Sequence, residues 1–223
     1  MNDRKFCFII CTNSKLYFDE CINYIKKLIV PDGYEVEVLE VSNASCMTGG
    51  YNEGMAGTDA KYKIYMHQDV FIVYRYFLQA ILDIFGDNDD IGMIGMVGTE
   101  KMAPDGVMWH GYRRGNLIRE CEKKHYDFTQ YQYTIQDGYW NVDAIDGLMM
   151  ITSKDISWRE DLFDGWDFYD VSQSFEMKRN GYQVVVPKQK MGWCLHDDGI
   201  INLNNYNKYR LKCLEEYKEY FEQ

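Results

Sequence analysis

Tyr62-Lys63-Ile64-Tyr65-Met66-His67-Gln68-Asp69-Val70 decides the fold. The first five residues suit a strand, being rich in aromatic and β-branched side chains. The run ends in a histidine and an aspartate before a new apolar segment begins. A carboxylate at the C-terminal end of a buried strand is where an open α/β sheet places its ligand chemistry. If the chain stays extended, residues 67 and 69 share one face. His67 and Asp69 then either close the strand with a turn or face a ligand together.

The flanking sequence extends the pattern. Lys5 to Cys11 is a poorly alternating apolar run, as expected of a strand buried on both faces. Thr12-Asn13-Ser14 ends it, with Ser14 placed to cap a helix that carries Phe18, Ile22, Ile25 and Leu28 at helical spacing. Pro31-Asp32-Gly33 is a turn, and Val36, Val38 and Val41 mark a second strand. Met47 to Gly57 is glycine-punctuated and reads as a loop with a short helix. Strand, helix, strand, helix, strand is half of a doubly wound nucleotide fold. Tyr76 to Phe85 then predicts a helix and Ile91 to Val97 a buried strand.

The second half is less regular. Met102 to Gly115 is turn-rich, and Tyr126, Phe128, Tyr131 and Tyr133 form an aromatic run. Val142 to Ile151 predicts one buried strand around Asp146-Gly147. Asp170 to Asn180 predicts a helix stopped by Gly181, and Tyr182 to Val186 a strand. Asn204 to Phe221 predicts a final helix striped by Tyr206, Tyr209, Cys213, Tyr217 and Tyr220, which offers an interface for a homo-oligomer. The expected architecture is one α/β domain over 1–223, a Rossmann-like mixed sheet flanked by helices. Its nucleotide half covers about 1–100, a second half about 101–203, and the last helix 204–223.

Composition sets limits. The chain has 223 residues, 46% of them aliphatic or aromatic and 26% charged, which suits a globular protein with a substantial core. A net charge of −11 argues against a nucleic-acid groove or an anionic membrane surface. No apolar stretch approaches a membrane span and no secretion signal is evident, so a cytoplasmic protein is expected, held at the inner membrane face only through a partner. Seven cysteines without a Cys-x-x-Cys pair predict reduced thiols rather than a zinc site or disulfide framework. No Gly-Lys-Ser/Thr phosphate loop, Gly-x-Gly-x-x-Gly, His-Glu-x-x-His or Gly-x-Ser-x-Gly is present, so kinase, dehydrogenase, zincin and serine-hydrolase readings lose support.

Several side chains carry two readings each. Asp170 either caps a helix N-terminus or takes a proton as a general base, with Asp167 the second candidate base. Asp146, in an otherwise apolar run, must face a cleft or pair with a buried partner such as Arg159. His196 is either a ligand or part of an exposed turn with Asp197-Asp198-Gly199. Trp109-His110-Gly111-Tyr112-Arg113-Arg114 is a basic island: arginine clamps phosphate, and a solvated turn is the ordinary reading. Tyr131, Tyr133, Tyr139, Trp140 and Trp166 either stack on sugar faces or fill core or edge-strand positions.

Seven motifs in order resemble one family. They are Phe8-Ile9-Ile10-Cys11-Thr12-Asn13; Tyr51-Asn52-Glu53-Gly54; Tyr65 to Val70; Ile91 to Gly98; Val142 to Leu148; Phe168-Tyr169-Asp170 through Gly181-Tyr182; and His196 with Gly199. Together they resemble the GT-A glycosyltransferases, in the family 2-like group related to the streptomycin-biosynthesis StrF-type domain. His67-Gln68-Asp69 then stands where that fold has its Asp-x-Asp metal element.

The resemblance implies an inverting, metal-dependent transfer from a nucleotide-diphospho-sugar, a UDP-sugar first, to a glycan or lipid-linked acceptor, as in polysaccharide biosynthesis. It implies Asp69 and His196 as ligands to Mn²⁺ or Mg²⁺. Thr12, Asn13, Ser14, Asn43, Asn52, His67 and Gln68 would hold the nucleotide. Asp170, or Asp167, would be the base, and Asp146, Trp166 and Tyr169 would shape the acceptor pocket. The chain departs from the pattern in having Ser42-Asn43 where many such enzymes have Asp, Asp167 where close relatives have His, and no acidic residue two places after Asp170. The rival readings are a non-catalytic nucleotide- or glycan-binding domain and a sugar-phosphate nucleotidyltransferase.

Overall fold

The computed structural model describes residues 1–118, 138–197 and 202–222. Tyr126, Phe128, Tyr131, Tyr133, Cys121, Asp198 and Gly199 lie outside these residues.

In chain order the first half runs β1 (Asn2–Thr12), α1 (Lys15–Ile25), β2 (Glu35–Ser42), α2 (Met47–Ala56), β3 (Ala60–His67), β4 (Val70–Ile72), α3 (Phe77–Asp87), β5 (Ile91–Gly95) and β6 (Val97–Thr99). The second half gives β7 (Arg113–Gly115), β8 (Tyr139–Asn141), β9 (Ala144–Ile145), β10 (Met149–Thr152), α4 (Tyr169–Arg179), β11 (Gln183–Pro187), β12 (Cys194–His196) and α5 (Tyr206–Glu216). Seven strands form one sheet in the order β2-β1-β3-β10-β5-β11-β8. β10 and β8 run antiparallel to their neighbours, and the other pairings in that sheet are parallel. Two small sheets, β12-β4 and β7-β6-β9, stand beside it.

The core explains the poor alternation of β1. Phe6, Phe8 and Ile10 pack with Cys21 and Ile25 of α1 and Phe77 and Ile81 of α3, while Cys7 and Ile9 pack with Met47 and Tyr51 of α2 on the opposite face. Both faces are covered, so both residue parities are apolar.

Four expectations need correction. Met47 to Gly57 is not a loop with a short helix but a continuous helix, Met47–Ala56. Its glycines are needed for close approach: a Cβ on Gly54 would lie 2.3 Å from Ile9 Cγ2. Val142 to Ile151 is two strands in different sheets, broken at Asp146-Gly147, and Ile91 to Val97 likewise divides into β5 and β6. The break sends β10 back antiparallel between β3 and β5. The last helix stops at Glu216, with a 3₁₀ turn over Lys218–Tyr220.

Tyr209, Cys213 and Tyr217 of the C-terminal segment are buried against Phe163 and Phe175. These three members of the aromatic stripe thus cover the protein's own α4. Among the described residues no helix is long and apolar enough to cross a membrane.

Gly54→Ala sets two effects against each other. Helix propensity gains about 1 kcal/mol, and overpacking against fully buried Ile9 costs ~1–3 kcal/mol. With a 2.3 Å approach the clash dominates. The expected outcome in a thermal melt is a Tm lower by roughly 2–6 °C; a higher Tm contradicts this packing of α2 on β1.

Candidate active site

β1, β2 and β3 are parallel and in register, with Thr12 opposite Ser42 and Cys11 opposite His67. Their C-terminal ends therefore open on one edge. The chain turns at Gln68-Asp69 and returns as β4, which pairs antiparallel with β12. In that register His196 lies opposite Val70, and the Asp197 N–H donates to the Asp69 carbonyl (3.0 Å).

Three side chains meet there. His67 Nδ1 is 3.4 Å from His196 Nε2. Asp69 Oδ1 is 3.5 Å from His196 Nε2 and 3.9 Å from His67 Nδ1. All three ligand atoms lie within 4.8 Å of one another. Asp69 Oδ1 is buried and makes no hydrogen bond, which is costly for a carboxylate oxygen unless a cation satisfies it. Burial alone would raise the Asp69 carboxyl, but the His196 and His67 imidazoles outweigh it and hold the group below the usual carboxylate range. Burial first, and His196 next, push His67 down to about 4, so its imidazole is neutral at pH 7, the state a metal ligand requires. Two imidazoles and one carboxylate are a donor set for a divalent transition metal rather than for Mg²⁺.

Tyr169 is a correction. It was expected in the acceptor pocket, but it is buried, and its hydroxyl is 2.5 Å from His67 Nε2. Burial raises its pKa well above the ordinary phenol value, so the hydroxyl keeps its proton. The hydroxyl can donate to Nε2 or accept from it; when Nε2–H is the donor, Nδ1 is left with its lone pair facing Asp69 and His196, the tautomer a metal ligand at Nδ1 needs. A partner of this kind sets a ligand's tautomer and orientation. Gly147 makes it possible, since a Cβ there would lie 2.0 Å from Tyr169 Oη.

Two cavities flank the three side chains. The first, about 390 Å³, is lined by Thr12, Asn13, Asn43, His67, Gln68 and Asp69, with Trp166 on its wall. Trp166 was expected on the acceptor side; it belongs to this cleft at the ends of β1 and β2. The second, about 480 Å³, is lined by Asp146, Leu148 and His196 together with Trp109, Arg113 and Arg114.

Two amides expected to touch a nucleotide are already engaged. Asn52 donates to the Trp158 carbonyl (3.1 Å) and accepts from the Trp158 N–H (2.9 Å), and it does not line the first cavity. Gln68 Oε1 accepts from the Asn13 and Ser14 N–H groups (3.0 and 2.9 Å), and its Nε2 donates to Asn13 Oδ1. Gln68 thereby clamps the loop after β1 to the end of β3. Ser14 occupies the α1 cap position, but its side chain makes no cap hydrogen bond.

Asp170 is the second residue of α4 rather than its cap; Phe168 holds that place at φ 62°. The Asp170 carboxylate accepts from the Gly147 N–H (3.0 Å) and the Val171 N–H (2.8 Å). Burial first, then the Asp146 carboxylate, push it up to about 7. Asp146 accepts from the Leu148 N–H (2.8 Å). Arg159 is not its partner, being paired with Asp161, Glu176 and Glu216. Asp167 is half-buried and burial raises its carboxyl too. Among the described residues, the two non-glycines at positive φ are Asn43 and Phe168: one lines the first cavity, the other precedes Tyr169-Asp170. Strain of this kind concentrates at functional sites.

A family model described as a glycosyltransferase-like family matches residues 7–217. The chain belongs to that family. The solved structures that resemble it share the GT-A fold at low identity. Staphylococcus aureus TarS in complex with UDP aligns at TM-score 0.57 and 12% identity, over 95% of this chain and 65% of that one. The mannosyltransferase PcManGT from Pyrobaculum calidifontis, with GDP-Man and Mn²⁺, aligns at 0.55 and 12%, over 95% and 61%. A Drosophila β1,4-galactosyltransferase 7 variant with manganese, UDP-Gal and xylobiose aligns at 0.52 and 11%, over 93% and 79%. The chain spans only 39% of a longer TarS structure. No curated protein matches it.

The Gln68 clamp is testable without a ligand. In Gln68→Ala, the Asn13 and Ser14 amides lose their acceptor, and their hydrogen exchange is expected to accelerate roughly tenfold or more while core amides keep their protection. Unchanged exchange at those two amides contradicts the clamp.

Proposed function

We propose that the chain transfers a sugar from a nucleotide-diphospho-sugar to a glycan hydroxyl, with inversion at the anomeric carbon. The observation that carries this reading is the meeting of His67, Asp69 and His196 around a buried Asp69 oxygen that makes no hydrogen bond, beside a cleft at the strand ends. A divalent cation bound there supplies Lewis-acid neutralisation of the diphosphate leaving group.

The chain's own residues do the rest. Trp166 offers an aromatic face to the nucleoside, and Asn43 and the clamped Asn13 offer amides to it. Tyr169 keeps the His67 imidazole in one tautomer. Asp170 takes the proton from the acceptor hydroxyl as its oxygen bonds to the anomeric carbon and the bond to the diphosphate oxygen breaks. Asp146 holds the Asp170 pKa near the working range, where a base is most effective, and its carboxylate is placed for a neighbouring sugar hydroxyl. A UDP-sugar is the preferred donor and a glycan, free or lipid-linked, the preferred acceptor. The StrF-type subgroup is the nearest family assignment the motifs support.

Isothermal titration with UDP, GDP and dTDP tests the donor site. Binding of one diphosphate is expected in Mn²⁺, falling at least tenfold with chelator or in Asp69→Asn. If none binds in either condition, the reading fails.

A base of pKa about 7 must be ionised to act, so transfer is expected to be lost as pH falls below 7 and to level off above it. Asp146→Asn removes the charge that raises Asp170, and should move the limb to lower pH. Asp170→Asn should lower kcat by ~10²-fold or more and leave UDP affinity in place. A flat profile between pH 5.5 and 8.5 contradicts Asp170 as base, and undiminished turnover in Asp170→Asn does so directly.

A further inference from the structure

The basic island 109–114 is not used by the transfer as described, yet it forms a wall of the second cavity. Its two arginines differ. Arg114 is neutralised: its guanidinium bonds Glu100 Oε2 (2.7 Å from Nε) and lies between the Tyr112 and Trp140 rings at 4.4 and 5.1 Å. Among the described residues Arg113 has no such carboxylate. Its guanidinium carbon is 4.9 Å from the Trp109 ring centre, and one of its nitrogens donates to the Trp109 carbonyl (3.3 Å). A cation–π contact and one hydrogen bond fix the group without cancelling its charge. Most of its N–H donors remain for a ligand. In a chain of net charge −11, an exposed, held and uncompensated guanidinium in the cavity that also contains His196 is a built anion receptor.

Its position says whose anion it receives. Arg113 is on β7 and Asp146 follows β9, with β6 between them. Arg113 lies opposite Thr99 and Thr99 opposite Ala144, so Asp146 is two strands across and two residues along from Arg113, roughly 12 Å by strand spacing and rise, a span that a substituted sugar ring and the two side chains can bridge. The first cavity, where the nucleoside is placed, contains no arginine or lysine, and the three side chains His67, Asp69 and His196 stand between the two cavities. Arg113 lines the second cavity and not the first.

We propose that the second cavity selects an acidic sugar acceptor, one bearing a carboxylate or phosphate, and that Arg113 reads that charge while Asp146 takes a hydroxyl. The proposal rests on the donor and acceptor sides assigned above. It makes Arg113 a specificity residue whose bidentate fork suits either anion.

Saturation-transfer titrations with glucuronate, glucose 6-phosphate and glucose test it on the unmodified protein, with and without UDP and Mn²⁺. At least one anionic sugar is expected to bind five- to tenfold more tightly than glucose, with the preference shrinking as salt is raised. Arg113→Gln should abolish the preference and leave UDP affinity unchanged. Equal binding of all three sugars by the wild type overturns the proposal, whatever the variant does. A loss of UDP affinity in Arg113→Gln equal to the loss for the anionic sugar also overturns it, by assigning the guanidinium to the donor. Failure of UDP to bind the wild type would instead sink the donor assignment, and the nucleotide-free sugar titrations would still decide the acceptor preference.

Discussion

The antiparallel pairing of β4 with β12 is the constraint on which the site depends. It joins segments so distant that His67 and His196 are separated by 129 residues, and its register puts His196 opposite Val70. The Asp197 N–H bond to the Asp69 carbonyl extends the pairing into the turn itself. Slipping the register by one residue would turn His196 to the other face and leave His67 and Asp69 without their third member. Apolar burial holds the pairing: Phe71, Ile72, Cys194 and Leu195 all belong to the core beneath α1 and α3.

A second constraint comes from the break at Asp146-Gly147. By interrupting the strand there, the chain frees the Gly147 N–H for Asp170 and leaves room for the Tyr169 ring. One residue without a side chain thus serves two neighbours on α4. Asp170 is held by backbone donors, and Tyr169 reaches His67. The same break turns Asp146 towards the second cavity, close enough to Asp170 to raise its pKa. The two cavities are coupled through this corner.

Much of this was legible in the sequence, for identifiable reasons. β1, β2 and β3 announce themselves because central strands of such a sheet are apolar on both faces and end in polar loops. His67-Gln68-Asp69 is conspicuous because its polar residues close an apolar run. The antiparallel insertion of β10 was not legible, since an apolar run says nothing of its direction. Nor was the destination of an individual side chain. Gln68, Asn52 and Tyr169 have the chemistry to touch a ligand, and the structure shows each satisfied by the protein itself. Trp166 lines the cavity at the ends of β1 and β2, and only tertiary packing decides which cavity its loop lines. α4 begins a residue early because Phe168 adopts a left-handed backbone conformation that aromatic side chains seldom take, so no propensity argument would place the start there.

The central claim is that His67, Asp69 and His196 form a single cation site. Anomalous diffraction from crystals grown with UDP and Mn²⁺, recorded at the manganese absorption edge, tests it most directly. One strong peak bonded to all three side chains and to the diphosphate is expected. A peak elsewhere in the cleft, or nucleotide bound with no peak at these residues, would contradict it.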